Sequence, residues 1–276
     1  MMNRAFRPGP SLLLAGYLVL TLAPAAAVAE PVDITFLANE GFMITTENKG
    51  VLIDGLFRKG VPGYGTVPPE WQEKIETAQA PFDGVDIILV SHWHADHFDP
   101  EAAVRYLSSN PKAILISSRQ VVGSMARVLS GRTDLNERVR AVSIESDEHE
   151  DLTIAGIGLE IQPVSHGEGR FASIENLGHI VTIGGKRILH IGDSDAGDEE
   201  LERLRWSGKK LDIAIVPYWY LTNERRQDLV RKHINADHII ATHVPPDELA
   251  RVKGQIKEAF PDAIVFDESM EKRRFN

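Results

Sequence analysis

A chain of 276 residues with 43% hydrophobic side chains is long enough for one sizeable domain or two small ones, and it needs no covalent staples to build a core. A formal charge of −10 argues against a general nucleic-acid binder, because phosphate contacts require local positive charge. The absence of cysteine excludes disulfides, a thiolate metal ligand and a lipoprotein anchor, so any metal must be held by nitrogen and oxygen.

Residues 1–29 read as a secretory signal peptide. Arg4 and Arg7 form its basic end, Ser11 to Leu22 its apolar centre, and Ala27-Val28-Ala29 a small-residue cleavage site before Glu30. The apolar centre is short for a membrane span. The expectation is an exported protein, periplasmic or secreted, with no stable membrane anchor after cleavage. Residues 30–276 then form a single domain, since no linker divides them.

From Val32 the chain reads as short strands, Val32–Leu37, Phe42–Thr46 and Val51–Asp54. The turn stretches Asn39-Glu40-Gly41 and Glu47-Asn48-Lys49-Gly50 separate them. Residues 57–81 break the periodicity with alternating Gly and Pro and end in a short helix from Glu70 to Ala80. A connection of this length is functional or disordered, and its place after the third strand puts it beside a site. Tyr64 and Trp71 become possible substrate contacts, or aromatics that anchor the loop itself.

The apolar run Val85–Val90 leads into the hexapeptide His92-Trp93-His94-Ala95-Asp96-His97, and a helix follows with Asp99 as N-cap and Pro100 at its first position. Three imidazoles and a carboxylate within six residues are hard to explain as packing. His92 and His94 are close enough to share one divalent ion, while Asp96 and His97 lie where the chain turns and can hold a second.

Downstream come strand Ala113–Ser117, helix Gln120–Leu129 and strands Val142–Glu145, Leu152–Ile154 and Leu159–Val164. Strands Gly178–Ile183 and Arg187–Ile191 flank a Gly184-Gly185 hairpin turn. Helix Asp198–Trp206, strand Leu211–Val216, helix Glu224–Ile234, strand His238–Thr242, helix Pro246–Phe260 and strand Ala263–Phe266 complete the chain. Each half runs from strands into alternating strands and helices. This order predicts an α+β protein with two sheets face to face and helices outside.

The hexapeptide after a buried strand resembles the metal-binding signature of the metallo-β-lactamase-fold hydrolases, a superfamily of αββα sandwiches holding one or two metals. The opening from Phe36 to Asp54 is similar to theirs, where an aspartate ending the third strand supports the metal site from behind; Asp54 fits that part or is a plain turn residue. His166 in Pro163-Val-Ser-His-Gly-Glu-Gly resembles the third ligand of the first metal. Asp193 in Ile188-Leu-His-Ile-Gly-Asp-Ser-Asp resembles the carboxylate that bridges two metals, with Asp195 as a rival two residues on. His243 before Pro245-Pro246 resembles the last ligand of the second metal. The resemblance implies His92, His94 and His166 on one ion, Asp96, His97 and His243 on the other, and Asp193 between. His149, His179, His190, His233 and His238 are assigned to packing or surface hydrogen bonds, His190 being nearest the site in sequence.

The implied activity is that of a metallo-hydrolase with two divalent ions. Zinc suits the donors, and manganese and iron stay open. Two ions sharing a water lower its pKa toward neutrality and supply a hydroxide nucleophile for an ester, lactone or phosphodiester of a small-molecule substrate. Asp96 is the residue favoured to orient that nucleophile or receive its proton. No G-x-S-x-G elbow competes. The surroundings of Asp193 look more like the lactonase and phosphodiesterase branches than true β-lactamases. The alternatives are an exported β-lactamase-type amide hydrolase and a non-catalytic periplasmic metal-binding or sensing protein.

Overall fold

The computed structural model describes residues 30–146 and 148–276. The signal-peptide reading of residues 1–29 lies outside the described residues. Among those described, no helix is long and apolar enough to cross a membrane.

Two seven-stranded mixed sheets pack face to face, and helices cover both outer surfaces. In the first sheet the meander β1 (Val32–Ala38), β2 (Gly41–Thr45) and β3 (Gly50–Ile53) is antiparallel. Then β4 (Ile87–Leu89), β5 (Ile114–Ser118) and β6 (Val139–Val142) join in parallel. The second sheet repeats the plan. Strands β7 (Glu150–Ile154), β8 (Ile157–Pro163), β9 (Leu177–Ile183) and β10 (Lys186–His190) are antiparallel, followed by parallel β11 (Ile213–Pro217), β12 (His238–Thr242) and β13 (Ile264–Val265).

Strand alternation sorts the apolar residues into layers. Ile34, Phe42, Ile44, Val51, Ile53, Ile87 and Leu89 face Leu159, Ile161, Val181, Ile188, Ile213 and Ile215 across the gap between the sheets. Their neighbours Leu52, Ile88 and Leu115 point outward onto helices α1 (Pro69–Glu76) and α2 (Pro100–Ser109). The opposite outer face of the second sheet is covered by α5 (Asp198–Leu204), α6 (Tyr218–Thr222), α7 (Glu224–Leu229) and α8 (Leu249–Ala259). The short α3 (Arg119–Ser124) and α4 (Thr133–Asn136) complete the helices. Parallel strands buried on both faces read as continuous apolar runs, which is why Val85–Val90 carries no alternation.

The predicted elements recur with shifted ends. Helix α1 stops at Glu76, not Ala80, and the helix from Gln120 is short, passing into turns before Leu129. The strand expected at 142–145 lies at Val139–Val142. Three elements had no counterpart in the sequence reading: α4, α6 and β14 (Lys272–Phe275), the last of which extends the first sheet by pairing antiparallel with β1. Arg274 and Lys272 clamp the Asp33 carboxylate across that pair and hold it down to about 2.

Candidate metal centre

The site forms where strands of both sheets end at one edge of the sandwich. Asp54 follows β3, the hexapeptide follows β4, His166 follows β8, Asp193 follows β10, and His243 follows β12. The carboxyl ends of parallel strands are where chains of this kind leave a crevice for ligands. Gly192 is required at one of these ends. Its φ is +55°, and a Cβ there would lie 2.4 Å from Asn176 Oδ1 and 2.7 Å from Ser91 Cβ. Only glycine lets the end of β10 close against the end of β4, which brings Asp193 to the hexapeptide.

Two sets of donors result. In the first, His92 Nε2 and His94 Nδ1 are 2.9 Å apart, and His166 Nε2 lies 3.3 and 3.2 Å from them. Asp193 Oδ2 is 3.8 Å from His92 Nε2 and 3.6 Å from His166 Nε2. In the second set, His97 Nε2 and His243 Nε2 lie 3.3 and 3.2 Å from Asp193 Oδ1. Asp96 Oδ2 stands 3.8 and 3.6 Å from the same two nitrogens. Asp193 therefore turns one oxygen toward each set.

These residues fit divalent ions. Four donors about 2.0–2.1 Å from a tetrahedral zinc lie about 3.3–3.4 Å from one another, close to the spacings of both sets. His97 Nε2, His243 Nε2 and Asp193 Oδ1 are buried without a hydrogen-bond partner among the described residues. Each such atom costs about 1–3 kcal/mol if left alone, and a shared cation satisfies all of them.

A layer behind the donors fixes their aim. Asp54, wholly buried with φ +45°, accepts from Ser91 N–H at 2.7 Å and from Ser91 Oγ at 2.5 Å. Its Oδ2 also lies 2.9 Å from His97 Nδ1, which places the ring proton there and turns the Nε2 lone pair to the site. Asn39 Nδ2 donates to Asp96 Oδ2 at 3.2 Å, and Asn39 O accepts from His243 N–H at 3.2 Å and Thr242 Oγ1 at 2.6 Å. The turn between β1 and β2 thereby ties together two donors from opposite sheets.

Burial opposes the charge on Asp193, but His97 and His243 outweigh it and hold the carboxyl well below its usual range. Burial likewise opposes an imidazolium at His97 and His243. Asp193 overrides it in both, raising His97 well above the ordinary value and His243 to about 9. Burial dominates at His92, His94 and His166 and pushes all three down, which leaves neutral rings suited to ligation.

All seven sequence-predicted donors meet here, and Asp54 stands behind them. Asp195 does not join them; it pairs with Arg226. Tyr64 reaches the site, its ring edge-on to His243 at 4.1 Å, whereas Trp71 packs edge-on to Phe82 in the outer core. His149 and His238 are exposed, and buried His233 bonds Asp198 at 2.6 Å. His190 is wholly buried, 3.1 Å from the carbonyl of Glu40; His179 is buried and pushed down to about 3 by burial and His190.

Sequence reasoning missed Asn39 and the buried carboxylate of Glu40, both read as turn residues, and gave Ser91 no part of its own. It also missed Phe171, stacked on His166 at 5.1 Å, and Trp219, 5.3 Å from His243. The run Tyr218-Trp219-Tyr220 directly after an apolar strand was the available signal. Together with Asp193 and His166, Phe171, Tyr218 and Trp219 line a cavity of about 780 Å³ opening from the donors.

Comparison with known proteins agrees with this geometry. A family model described as a β-lactamase superfamily domain matches residues 51–259. A UPF0173 metal-dependent hydrolase of Pelotomaculum thermopropionicum is 28% identical over 192 residues, covering 67% of this chain and 71% of the relative. The fold is similar to that of a possible metal-dependent hydrolase from Veillonella parvula, with a TM-score of 0.61 at 17% identity over 87% of this chain and 98% of the other. It is also similar to Igni18, a metallo hydrolase of Ignicoccus hospitalis, with a TM-score of 0.57 at 16% identity over 89% and 99% of the two chains. The chain belongs to the β-lactamase superfamily of metal-dependent hydrolases.

Proposed function

We propose that the two donor sets hold two divalent ions, zinc being best matched to the nitrogen and oxygen donors, and that the enzyme hydrolyses an ester, lactone or phosphodiester bond of a small molecule. The observation that carries this reading is the division of Asp193, one oxygen toward each set. Bound ions supply Lewis acidity and a lowered pKa for water, which removes the need for a side-chain nucleophile. Asp96, held by Asn39 at Oδ2, is the residue that orients the attacking water or receives its proton and returns it to the leaving group. His243 and Asp54 favour the anion at Asp96 and the fixed tautomer at His97 respectively. Tyr64, Phe171 and Trp219 wall off the rings of His243 and His166 from bulk water. The signal-like residues 1–29 support export, and the charge of −10 supports a substrate other than nucleic acid.

Turnover of bis(p-nitrophenyl) phosphate, a simple lactone and nitrocefin by the zinc-loaded protein separates the bond classes. Hydrolysis of the phosphodiester or the lactone, with nitrocefin at least tenfold poorer, is expected. Nitrocefin as the best of the three, or no turnover of any after metal loading, would overturn the assignment.

A further inference from the structure

Arg226 stands on the wall of the cavity that opens from Asp193 and His166. Its guanidinium is fixed from two sides. Nη2 pairs with Asp195, and the plane lies over the ring of Tyr220, 5.1 Å from its centroid. Asp195 belongs to the segment that carries Asp193, and Tyr220, on α6, is bonded to that segment. Tyr220 is locked there by its hydroxyl, which donates to Ala196 O at 2.8 Å and meets Ser194 Oγ at 3.1 Å. Trp219 Nε1 donates to Ser194 O at 2.9 Å. The guanidinium is thus held at a set position relative to the metal donors.

A guanidinium has five N–H donors. Among the described residues Arg226 hydrogen-bonds one side-chain acceptor, Asp195, and its Nη1 is enclosed with no hydrogen-bond partner. An enclosed arginine nitrogen without an acceptor is costly, and a fork-shaped cation of this kind matches a carboxylate or phosphate. The other arginine of the wall, Arg251, is already bonded to Glu248 and Gln255 on its own helix. The same cavity is lined by the aromatic side chains of Tyr218, Trp219 and Phe171, which suit an apolar or planar body.

Resting on the hydrolase reading above, we infer that the substrate carries an oxyanion apart from its scissile bond, and that Arg226 is the residue that binds it. An aromatic or aliphatic body then bridges the distance from Arg226 to the ions.

The test is calorimetric and needs no turnover, so it can fail while the hydrolase reading stands, and the reverse. The zinc-loaded protein is titrated with 3-phenylpropionate, phenyl phosphate and the uncharged 3-phenylpropanamide. At least one anion should bind tenfold or more tightly than the amide, and which anion prevails identifies carboxylate or phosphate as the oxyanion. Arg226→Gln should cut that anion-to-amide ratio by about tenfold or more, the usual worth of a hydrogen bond to a charged group. Arg226→Lys, which keeps the charge and the Asp195 pair but loses the fork, should fall between. Metal content and melting temperature, measured alongside, identify a variant that has not folded; Asp195→Asn, which frees the guanidinium, should then keep or raise the ratio. Equal binding of anion and amide by the wild type, or a ratio unchanged in folded Arg226→Gln, would overturn the proposal.

Discussion

Asp193→Asn is expected to lower kcat/KM by about a hundredfold or more on whichever substrate is turned over. Removing an outer partner of a metal ligand already costs about ten- to hundredfold, and Asp193 is here proposed as the ligand itself. The substitution keeps shape and volume, so the fold should survive. What changes is that the amide presents one oxygen and one N–H₂ where the carboxylate presents two oxygens. One donor set then faces an N–H₂ group in place of an anion. The neighbours feel it too, because Asp193 is the charge that holds His97 and His243 above their ordinary values against burial. Metal analysis should find about half the wild-type content in the variant. Wild-type activity within threefold, with metal content unchanged, would remove Asp193 from the centre.

Asp54→Ala attacks the same site from behind, and its larger effect should appear in stability. The change leaves Ser91 N–H, Ser91 Oγ and His97 Nδ1 without their acceptor in a region closed to water. Each buried orphan costs about 1–3 kcal/mol, so a loss of roughly 3 kcal/mol or more is expected. A urea titration should show a lower midpoint with an unchanged slope. His97 also loses the partner that sets its tautomer, so affinity for metal should drop about ten- to hundredfold. Asp54→Asn can still accept from Ser91 and should recover part of the stability. A midpoint equal to wild type in Asp54→Ala would mean that Asp54 is a turn residue after all.

Much of this architecture is written locally in the chain. The alternation of Ile34, Phe42, Ile44, Val51 and Ile53 sets the meander and its inward face without reference to anything distant. The hexapeptide is likewise a local pattern whose residue types have no cheaper explanation than metal ligation. The helix after it begins as expected, with Asp99 Oδ1 accepting from Glu101 N–H and Ala102 N–H at 2.9 Å each. His166, Asp193 and His243 are different. Each is one ordinary residue at a strand end, and only resemblance to a known family joined them before the sheets brought them within reach of one another.

What stayed hidden depends on distant partners. Asn39 and Glu40 read as turn residues, and nothing nearby signals that Asn39 holds Asp96 and His243 from a separation of many residues. The strand Lys272–Phe275 is basic and short; its stability comes from Asp33 and from Phe275 buried against the core, both contributed through pairing with the far end of the chain. Helix α6 is too short to show a period, and its aromatics are fixed by the Ser194–Ala196 segment and not by their own sequence. Trp71 was an aromatic in the right loop, but its amphipathic helix turns it to Phe82 and away from the donors.

The central claim is a pair of ions bridged by Asp193, and counting them tests it most directly. Elemental analysis of the purified protein, before and after dialysis against a chelator and reloading with zinc, should give about two ions per chain. Activity should vanish with the ions and return with them. One ion or none per chain after reloading, in folded protein, would contradict the bridged pair.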